Sequence, residues 1–587
     1  MSSTTLKEPH QRELFGHPIG LYILFFTEMW ERFSYYGMRA ILVLYIASSI
    51  EDGGLGWTKS NALVLYGWYT MLVYIMAIPG GIIADKLIGQ RKSVLIGGLI
   101  LIAGHGILAV EYQWAFYTGL ILIILGVGML KPNISTMVGG LYKKGDIRRD
   151  KGFTIFYIGI NVGAFLASLI VGYVGEKIGW HYGFGLAGIG MALGMITYYF
   201  GQKYLSHVGN SINKSANKDQ KELMKKPLTS IEKDRIKVLL ISFLIIIVFW
   251  GAFEQAGGLL NIYAKEKINR VILGWTMPAS WFQSFNSLFI ILFGTTVASF
   301  WAIRKLKGKE TSTLFKMGIG TIIMGLGFLL MAFASKSASS IAYGTASFWW
   351  LVGAYFLHTI GELCASPTAL SFITKLAPLK YASIMMGVYF AATGLGNKLA
   401  GSIGEASQEE PIKIELISNK SETTALLGKK DSLLLHDKDF VIRTKSYLID
   451  NNDINIIDLD SDKSVLPLIK VKNPDKLDEI KTIFKDNKVT KINPYHITLR
   501  FTKDFEAKKI KTNMGDGKNY SGKLIIEEVQ SKREFKTFLG IFILTLVFGL
   551  LIILLLKPLK RLTHGAEDNE HKMTDDDNEG FELADNN

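Results

Sequence analysis

Glutamate and arginine residues lie inside a long apolar segment near the start of the chain. Glu28, Glu31 and Arg32 are flanked on both sides by aliphatic and aromatic side chains. A charge at membrane depth is costly, so such residues persist mainly where they face a water-filled cavity or an oppositely charged partner. At about 3.6 residues per turn, Glu28, Arg32 and Tyr36 lie on one stripe of a helix, and Glu31 and Tyr35 lie beside it. Carboxylates next to a guanidinium and two phenols can bind a proton and hold an anion. The segment therefore predicts a binding site within a membrane.

The composition of the chain supports a membrane-embedded fold. The sequence has 587 residues, of which 49% are hydrophobic, and its mean hydropathy is +0.25. About twelve apolar segments reach the roughly 20 residues that a membrane-spanning helix needs. They lie at 18–50, 61–84, 93–112, 114–140, 152–175, 181–203, 236–263, 279–303, 314–335, 345–374, 382–404 and 536–556. We therefore expect an all-α polytopic membrane protein with twelve transmembrane helices.

Positive charges are concentrated in alternate loops between these segments. The clusters lie at 86–92, 143–151, 203–237, 304–309, 375–380 and 557–561. Because lysine and arginine favour the cytoplasmic side, the pattern places both termini in the cytoplasm of a multi-pass protein in the bacterial cytoplasmic (inner) membrane. Residues 1–17 lack the apolar core of a removable signal peptide. The net charge of +14 mostly reflects the loop bias, so we expect membrane lipid, and no nucleic acid, as a partner.

The segment 405–534 differs in composition from the rest of the chain. It has balanced charge, and strand-like alternation occurs at 412–417, 440–448, 496–501 and 523–529, with an amphipathic helix expected at 474–484. We interpret it as a small β-rich α+β domain, which the helix count places outside the cytoplasm. The one cysteine, Cys364, lies elsewhere, so no disulfide stabilises this domain. Two interpretations stay open: a cap without a role in transport, or a surface that recruits peptides, peptidases or envelope components. The sequence identifies no partner for it.

The remaining chain divides into two six-helix bundles, which is the architecture of a major facilitator fold. The expected parts are a cytoplasmic N-terminal segment at 1–17, bundles at 18–203 and 236–404, a cytoplasmic linker at 204–235, a last helix at 535–562 and an acidic cytoplasmic tail at 563–587. Lys131 precedes a proline in the fourth apolar segment, and Glu362 precedes one in the tenth. Glu28 and Glu31 in the first segment correspond to Glu254 in the seventh. Charges at matching positions of parallel repeats predict a ligand site at the repeat interface near the middle of the membrane.

A set of motifs in chain order resembles one transporter family. The pattern E-x-x-E-R-F-x-Y-Y-G at 28–37 resembles the signature of the proton-dependent oligopeptide transporter family within the major facilitator superfamily. Residues 80–92 resemble the superfamily's loop between its second and third helices. Residues 152–161, 281–286 and 361–367 resemble the family's fifth, eighth and tenth helices. The resemblance covers about 18–404 and 536–562.

The resemblance implies proton-coupled uptake of di- and tripeptides, with protons as the coupling ion and no further cofactor. It implies that Arg32, helped by Lys131, binds the peptide carboxylate, and that Glu362 binds the peptide's ammonium group. Glu28 and Glu31 then carry the coupled proton and exchange ion pairs with the two cations. The remaining implied roles are a second titratable group (Glu254), backbone contacts (Asn161 and Asn286), side-chain pockets (Tyr35, Tyr36, Tyr74, Trp250 and Tyr389) and an inward gate (Asp85 and Arg91).

Charge chemistry supports coupling without the resemblance. A carboxylate paired with a cation stays ionised, whereas one that loses its partner in an apolar cavity prefers a proton. If the peptide carboxylate takes the cation, a freed glutamate then accepts a proton, and loss of the proton reverses the exchange. The sequence contains no G-x-x-x-x-G-K-[ST] loop, so we do not expect ATP as the energy source. The 405–534 segment contains no catalytic triad and no metal-ligand spacing, so we do not expect an enzyme.

Several residues also fit structural roles. The charged group at 28–32 can form a purely structural network inside the membrane. The Lys131 side chain can extend to the membrane surface, and the aromatic residues can fill the core between helices. Arg39 and Lys398 fit either interhelical gate pairs or ligand contacts. His358 lies one turn before Glu362 and can hydrogen-bond to it, but no third metal ligand accompanies them. Two other functions stay open: transport of another peptide-like or anionic solute, and a non-transporting receptor that uses the 405–534 domain.

Overall fold

The computed structural model describes residues 12–143, 146, 148–210, 227–339, 346–378, 381–408 and 533–566, and short strands between 415 and 526. The chain forms two compact units. The first comprises Met1–Met331, Phe348–Ala406 and Leu539–Asn587, and the second comprises Ala332–Ser347 and Ser407–Phe538. Residues 211–226 of the predicted linker, the acidic tail after 566 and the expected helix at 474–484 lie outside the described residues.

Long helices dominate the first unit. The helices of the first half are α1 (Ile19–Ala47), α2 (Lys59–Ile75), α3 (Ala77–Ile83), α4 (Gln90–Leu108), α5 (Gln113–Gly140), α6 (Arg148–Tyr173) and α7 (Trp180–Gly201). The second half continues with α8 (Ser230–Phe253), α9 (Leu259–Lys267), α10 (Ser284–Leu306), α11 (Thr313–Ser339), α12 (Phe348–Leu376), α13 (Ala382–Ser407), α14 (Arg533–Leu554) and α15 (Leu556–Leu562). Single turns of other helix types lie at Ile50–Asp52, Ala84–Ile88, Val174–Ile178, Gln202–Tyr204, Glu254–Ala256 and Ala279–Gln283.

A helix lies in each of the twelve apolar segments of the sequence. Within the described residues, nine helical stretches are long and apolar enough to cross a membrane. Pro132 and Pro367 lie inside α5 and α12, as the sequence predicts, and neither helix is interrupted there. The number of segments that cross the membrane stays a prediction.

Small residues allow close packing within the first half. A Cβ added to Gly80 would lie 2.0 Å from the carbonyl oxygen of Gly128, and one added to Gly97 would lie 2.8 Å from that of Gly126. Such close backbone approach is typical of helices that associate in a membrane, where burial of apolar area gives no net attraction. These contacts hold α3 and α4 against α5.

The two halves contact each other at one end of the bundle. We call it the 47–59 end, because α1 ends there at Ala47 and α2 begins there at Lys59. The Lys59 Nζ atom lies 2.9 Å from Glu266 Oε2, and Lys265 Nζ donates to Ser48 Oγ at 2.8 Å. Both pairs join the first half to the last turn of α9, which ends at Lys267. The structure is therefore held together across the two halves at this end.

Short antiparallel strands occur outside the helices. Two hairpins join β1 (Glu13–Leu14) to β2 (His17–Pro18) and β3 (Val271–Ile272) to β4 (Trp275–Thr276). In the second unit the strands are β5 (Glu415–Ile417), β6 (Val441–Arg443), β7 (Leu448–Asp450), β8 (Ile454–Ile457), β9 (Leu468–Val471), β10 (Val489–Lys491), β11 (Arg500–Phe501), β12 (Ile510–Met514) and β13 (Gly522–Ile526). Their sheet orders are β5-β6-β7, β11-β10-β9-β8 and β12-β13. Each of the four stretches predicted as strand overlaps one of these, but a packed α+β domain stays a prediction.

Candidate functional site

The charged residues of α1 form a buried ion-pair group. Glu28, Glu31 and Arg32 are 3%, 0% and 3% exposed. The Arg32 Nε atom lies 3.0 Å from Glu28 Oε1, and it also pairs with Glu31. The Arg32 guanidinium lies 5.7 Å from the ring centre of Tyr36 and 5.8 Å from that of Tyr35. The helical stripe predicted from the sequence is therefore present, and both carboxylates share one cation.

A cavity of about 130 Å³ lies between the two halves. Its walls come from α1, α2 and α6 on one side and from α8, α10 and α12 on the other. Seven residues that the sequence assigns to the site line it: Tyr36, Tyr74, Asn161, Trp250, Glu254, Asn286 and Glu362. The location agrees with a ligand site at the repeat interface, and the wall is rich in polar and aromatic groups, as small-molecule sites are.

One wall of the cavity carries an oriented carboxylate. The Glu362 side chain is buried, and its Oε2 atom accepts a hydrogen bond of 2.8 Å from Asn286 Nδ2. The same amide group donates to Thr359 Oγ1 at 3.1 Å. Asn286 on α10 thus fixes the position of a negative charge on α12. A carboxylate held in this way is suited to bind an ammonium group.

A second ion pair crosses the cavity between the halves. Arg39 Nη1 donates to both carboxylate oxygens of Glu254, at 2.9 and 3.1 Å, and the Tyr66 hydroxyl donates to Oε2 at 3.1 Å. Glu254 is 2% exposed, and these donors supply hydrogen bonds to both of its carboxylate oxygens. Arg39 also lies 4.7 Å from the ring centre of Tyr36. The pair connects α1 to the end of α8 and makes Arg39 an interhelical partner as well as a cavity residue.

The other predicted site residues lie near the cavity but do not line it. The Lys131 Nζ atom lies 3.8 Å from the ring centre of Tyr74, which does line it, and it interacts electrostatically with Glu28 and Glu31. Tyr35 is buried in the core at 4% exposure, and Tyr389 is half-buried on α13. The positive charge of Lys131 therefore belongs to the same electrostatic group as Arg32.

The predicted gate and histidine contacts take different partners. Arg91 donates to Gln202 Oε1 at 2.8 Å, which joins α4 to the end of α7 within the first half, whereas Asp85 is exposed. A gate role for Arg91 and Asp85 stays a prediction. His358 stacks on Phe328 with ring centres 4.5 Å apart, and the predicted hydrogen bond with Glu362 is not formed, since Asn286 supplies that donor. No group of three metal-binding side chains occurs among the residues that the structure describes.

Some cavity residues were not assigned from the sequence. Tyr157, Phe253 and Gln283 line the cavity beside the predicted residues. Tyr157 lies one helical turn before Asn161, whose amide donates to the Tyr157 carbonyl at 2.9 Å. The spacing of four residues from a predicted ligand contact is the signal that could have identified it. Nothing in the local pattern distinguishes Gln283 from a core residue.

Comparison with known proteins identifies the family. A family profile described as the POT family matches residues 91–226 and 210–420. The "Uncharacterized transporter YclF" of Bacillus subtilis is 37% identical over 454 residues, which is 68% of this chain and 91% of that protein. The "Peptide transporter YePEPT" of Yersinia enterocolitica is 35% identical over 463 residues, 68% of this chain and 90% of that protein. A "Di-/tripeptide transporter" of Lactococcus lactis is 34% identical, covering 67% and 90% of the two chains.

Solved structures agree with this result. A peptide transporter POT in complex with sulfate superposes with a TM-score of 0.62 at 35% identity, covering 68% of this chain and 90% of that one. A POT family transporter in complex with 5-aminolevulinic acid gives a TM-score of 0.61 at 31% identity, covering 72% and 94%. The helical fold and the cavity between its halves thus define a multi-pass membrane transporter, not an enzyme. The chain belongs to the POT family, which confirms the resemblance seen in the motifs.

Proposed function

We propose that this protein is a symporter that imports di- and tripeptides by alternating access, driven by the proton gradient. Two of its relatives are named as a peptide transporter and a di-/tripeptide transporter. A structural neighbour holds a thioalcohol-conjugated peptide at 31% identity and a TM-score of 0.61. Peptide transport is thus supported by relatives that share most of the helical part of this chain.

The observation that carries the proposal is the arrangement of charge around the cavity. Glu362 contributes a fixed negative charge on one side, and the cations Arg32 and Lys131 lie behind the opposite wall, in contact with the rings of the lining residues Tyr36 and Tyr74. A peptide is a zwitterion whose two charged ends lie at a fixed separation for a given length. Opposite charges on opposite walls select that feature, while half-buried aromatic groups such as Tyr74 and Trp250 tolerate variable side chains.

Proton coupling is proposed to act through the ion pairs of α1. Arg32 is shared by Glu28 and Glu31 in this structure. A peptide carboxylate that draws Arg32 or Lys131 towards the cavity leaves one glutamate without its partner, and that glutamate then takes a proton. Release of the proton restores the internal ion pair and displaces the peptide. Glu254 supplies a second exchangeable partner through Arg39.

The orientation in the membrane is part of the proposal. Twelve crossings with both termini in the cytoplasm of a bacterium place the 47–59 end outside and the 405–534 domain with it. The proposal is supported by the basic residues Lys86, Arg91 and Lys92, which follow α2 and α3 at the end opposite to Lys59. The positive-inside rule assigns such a loop to the cytoplasm.

Uptake into proteoliposomes tests the function. Labelled dialanine is offered to vesicles with an inward proton gradient, with and without an uncoupler. We expect concentrative uptake that collapses with the uncoupler and is inhibited by tripeptides but not by free amino acids. Absence of uptake by a folded preparation would contradict the proposal.

Substitution of the α1 carboxylates tests the coupling. We expect Glu28→Gln and Glu31→Gln to abolish uphill uptake but to leave some counterflow exchange, because a neutral amide cannot cycle a proton. Glu111→Gln is the matched control, since Glu111 is exposed in the loop after α4. Concentrative uptake at the wild-type rate in either α1 variant would refute the coupling scheme.

A second candidate function is transport of a non-peptide zwitterion. A neighbour at 31% identity was solved with 5-aminolevulinic acid, an amino acid with widely separated charges. A competition assay between dialanine and 5-aminolevulinic acid distinguishes this function from peptide transport. Strong inhibition by 5-aminolevulinic acid together with weak inhibition by tripeptides would favour the second candidate.

A further inference from the structure

A carboxylate of the first half binds the beginning of a helical segment in the second half. The Glu176 carboxylate accepts hydrogen bonds from the backbone N–H of Ala279 at 2.9 Å and of Ser280 at 2.8 Å. The Ser280 hydroxyl donates to it as well, at 2.6 Å. These are three donors from the turn at Ala279–Gln283, which leads directly into α10. None of them belongs to the cavity, and sequence reasoning did not identify Glu176.

Local structure explains how Glu176 reaches the other half. The last turn after α6, Val174–Ile178, is a π-helical turn, which is wider than an α-helical turn and changes the direction of its side chains. The backbone N–H groups at the beginning of a helical segment lack intrahelical acceptors, and a carboxylate is a strong acceptor for them. Glu176 therefore supplies, from a different half, the cap that the 279–283 turn does not supply for itself.

Two neighbouring contacts hold the same surfaces together. Trp281 Nε1 donates to the carbonyl of Leu169 at 2.9 Å. A Cβ added to Gly172 would lie 2.2 Å from Ser280 Oγ, so a larger residue here would displace the hydroxyl that donates to Glu176. Leu169, Gly172 and Glu176 are spaced three and four residues apart, so they lie on one face of α6 and its continuation.

We propose that Glu176 is a positioning residue that holds the 47–59 end of the transporter closed. All three of its hydrogen bonds join the two halves, so they must break if the halves separate at this end. Their loss leaves a half-buried carboxylate and two backbone donors to be hydrated. The inference rests on the proposed function in one respect, namely that the halves separate during transport.

The expected effect is a change in the ratio of closed to open forms. Charge-assisted hydrogen bonds to carboxylates are among the stronger polar contacts, but water replaces part of each one at a half-exposed site. We expect Glu176→Ala to lower the closed-to-open ratio about tenfold, which corresponds to about 1.4 kcal/mol. Glu176→Gln, whose neutral carbonyl still accepts a hydrogen bond, should have a smaller effect of the same sign.

Distance measurements on the full-length protein in lipid nanodiscs test this. Spin labels are placed at Tyr182 and Leu273, which are 69% and 103% exposed and lie on opposite halves, in a Cys364→Ala background. Double electron–electron resonance then reports the populations of short and long distances. We expect Glu176→Ala to move population to the longer distance, and the matched control Glu111→Ala to leave it unchanged. Equal distributions in Glu176→Ala and Glu111→Ala would overturn the inference.

A second variant keeps the test decisive if Glu176→Ala folds poorly. Gly172→Ala retains the carboxylate but places a methyl group against Ser280 Oγ. We expect it to open the same end, and to add little to Glu176→Ala when the two are combined, since both remove the same contact. An unchanged distance distribution in Gly172→Ala would also count against the inference.

Failure of the function and failure of the inference give different results. Dialanine uptake is measured on the same label-free variants. Uptake of dialanine by the wild type, together with an unaltered distance distribution in Glu176→Ala, refutes the role of Glu176 and leaves peptide transport supported. No uptake by the wild type together with altered distances in Glu176→Ala refutes peptide transport and leaves the contact between the halves supported.

Discussion

Replacing Arg39 by glutamine should destabilise the protein, because the charge of Glu254 loses its cation. Arg39 Nη1 is the charged donor to both oxygens of Glu254, and after its removal the Tyr66 hydroxyl remains as a single neutral donor. Glu254 is 2% exposed, and beyond its three hydrogen bonds it faces only the small cavity that it helps to line. Removal of one partner of a buried ion pair typically costs about 3–5 kcal/mol, because an uncompensated charge stays behind.

The cost arises from the charge that Glu254 keeps after its cation is removed. Removal of that charge as well should therefore restore most of the stability.

Thermal unfolding in detergent measures this. We expect the Tm of Arg39→Gln to fall clearly below that of the wild type. The double variant Arg39→Gln with Glu254→Gln leaves no charge behind, so its Tm should recover most of the loss. Lys237→Gln serves as the control, because the Lys237 side chain is 64% exposed where it pairs with Asp234, and exposed ion pairs contribute about 0–1 kcal/mol.

Two results would refute the reasoning. A double variant no more stable than Arg39→Gln would mean that the cost arises from packing of the Arg39 side chain and not from the stranded charge. A Tm of Arg39→Gln no lower than that of the control variant would mean that the ion pair does not stabilise the fold. Either result would also weaken the proposal that Glu254 exchanges partners during transport.

Three further predictions concern the cavity, the contact between the halves and a helix terminus. Glu362→Gln should weaken dialanine binding at least tenfold but affect an N-acetylated dipeptide much less, since only the free ammonium needs the carboxylate; equal losses in a competition assay would contradict this. Gly401→Val should abolish uptake at normal expression, because a Cβ there lies 2.6 Å from Gly67 Cα and prevents closure; normal uptake would show that the close approach is not required. Thr229→Ala removes a capping box with Glu232 at the start of α8 and should cost about 1 kcal/mol, seen as a small fall in Tm with uptake retained; no fall would show that the cap is redundant.

Much of the architecture could be predicted from the sequence, because a membrane imposes a simple rule. A segment of about 20 apolar residues must satisfy its backbone hydrogen bonds internally, so it forms a helix. Each predicted segment contains a helix, and the prolines at 132 and 367 lie within α5 and α12. The charged group on α1 could be predicted for the same reason, since helical spacing alone brings Glu28, Glu31 and Arg32 together.

Contacts between the two halves depend on the tertiary structure. Arg39 and Glu254 are 215 residues apart, and Glu176 and Ser280 are 104 apart. No local periodicity links such positions, because their approach depends on how two bundles pack against each other. The sequence by itself determined the helices, the charged stripe on α1 and the family. Only the tertiary structure decided which carboxylate pairs with which cation, since each burial and each partner depends on the distance between elements that are remote in the chain.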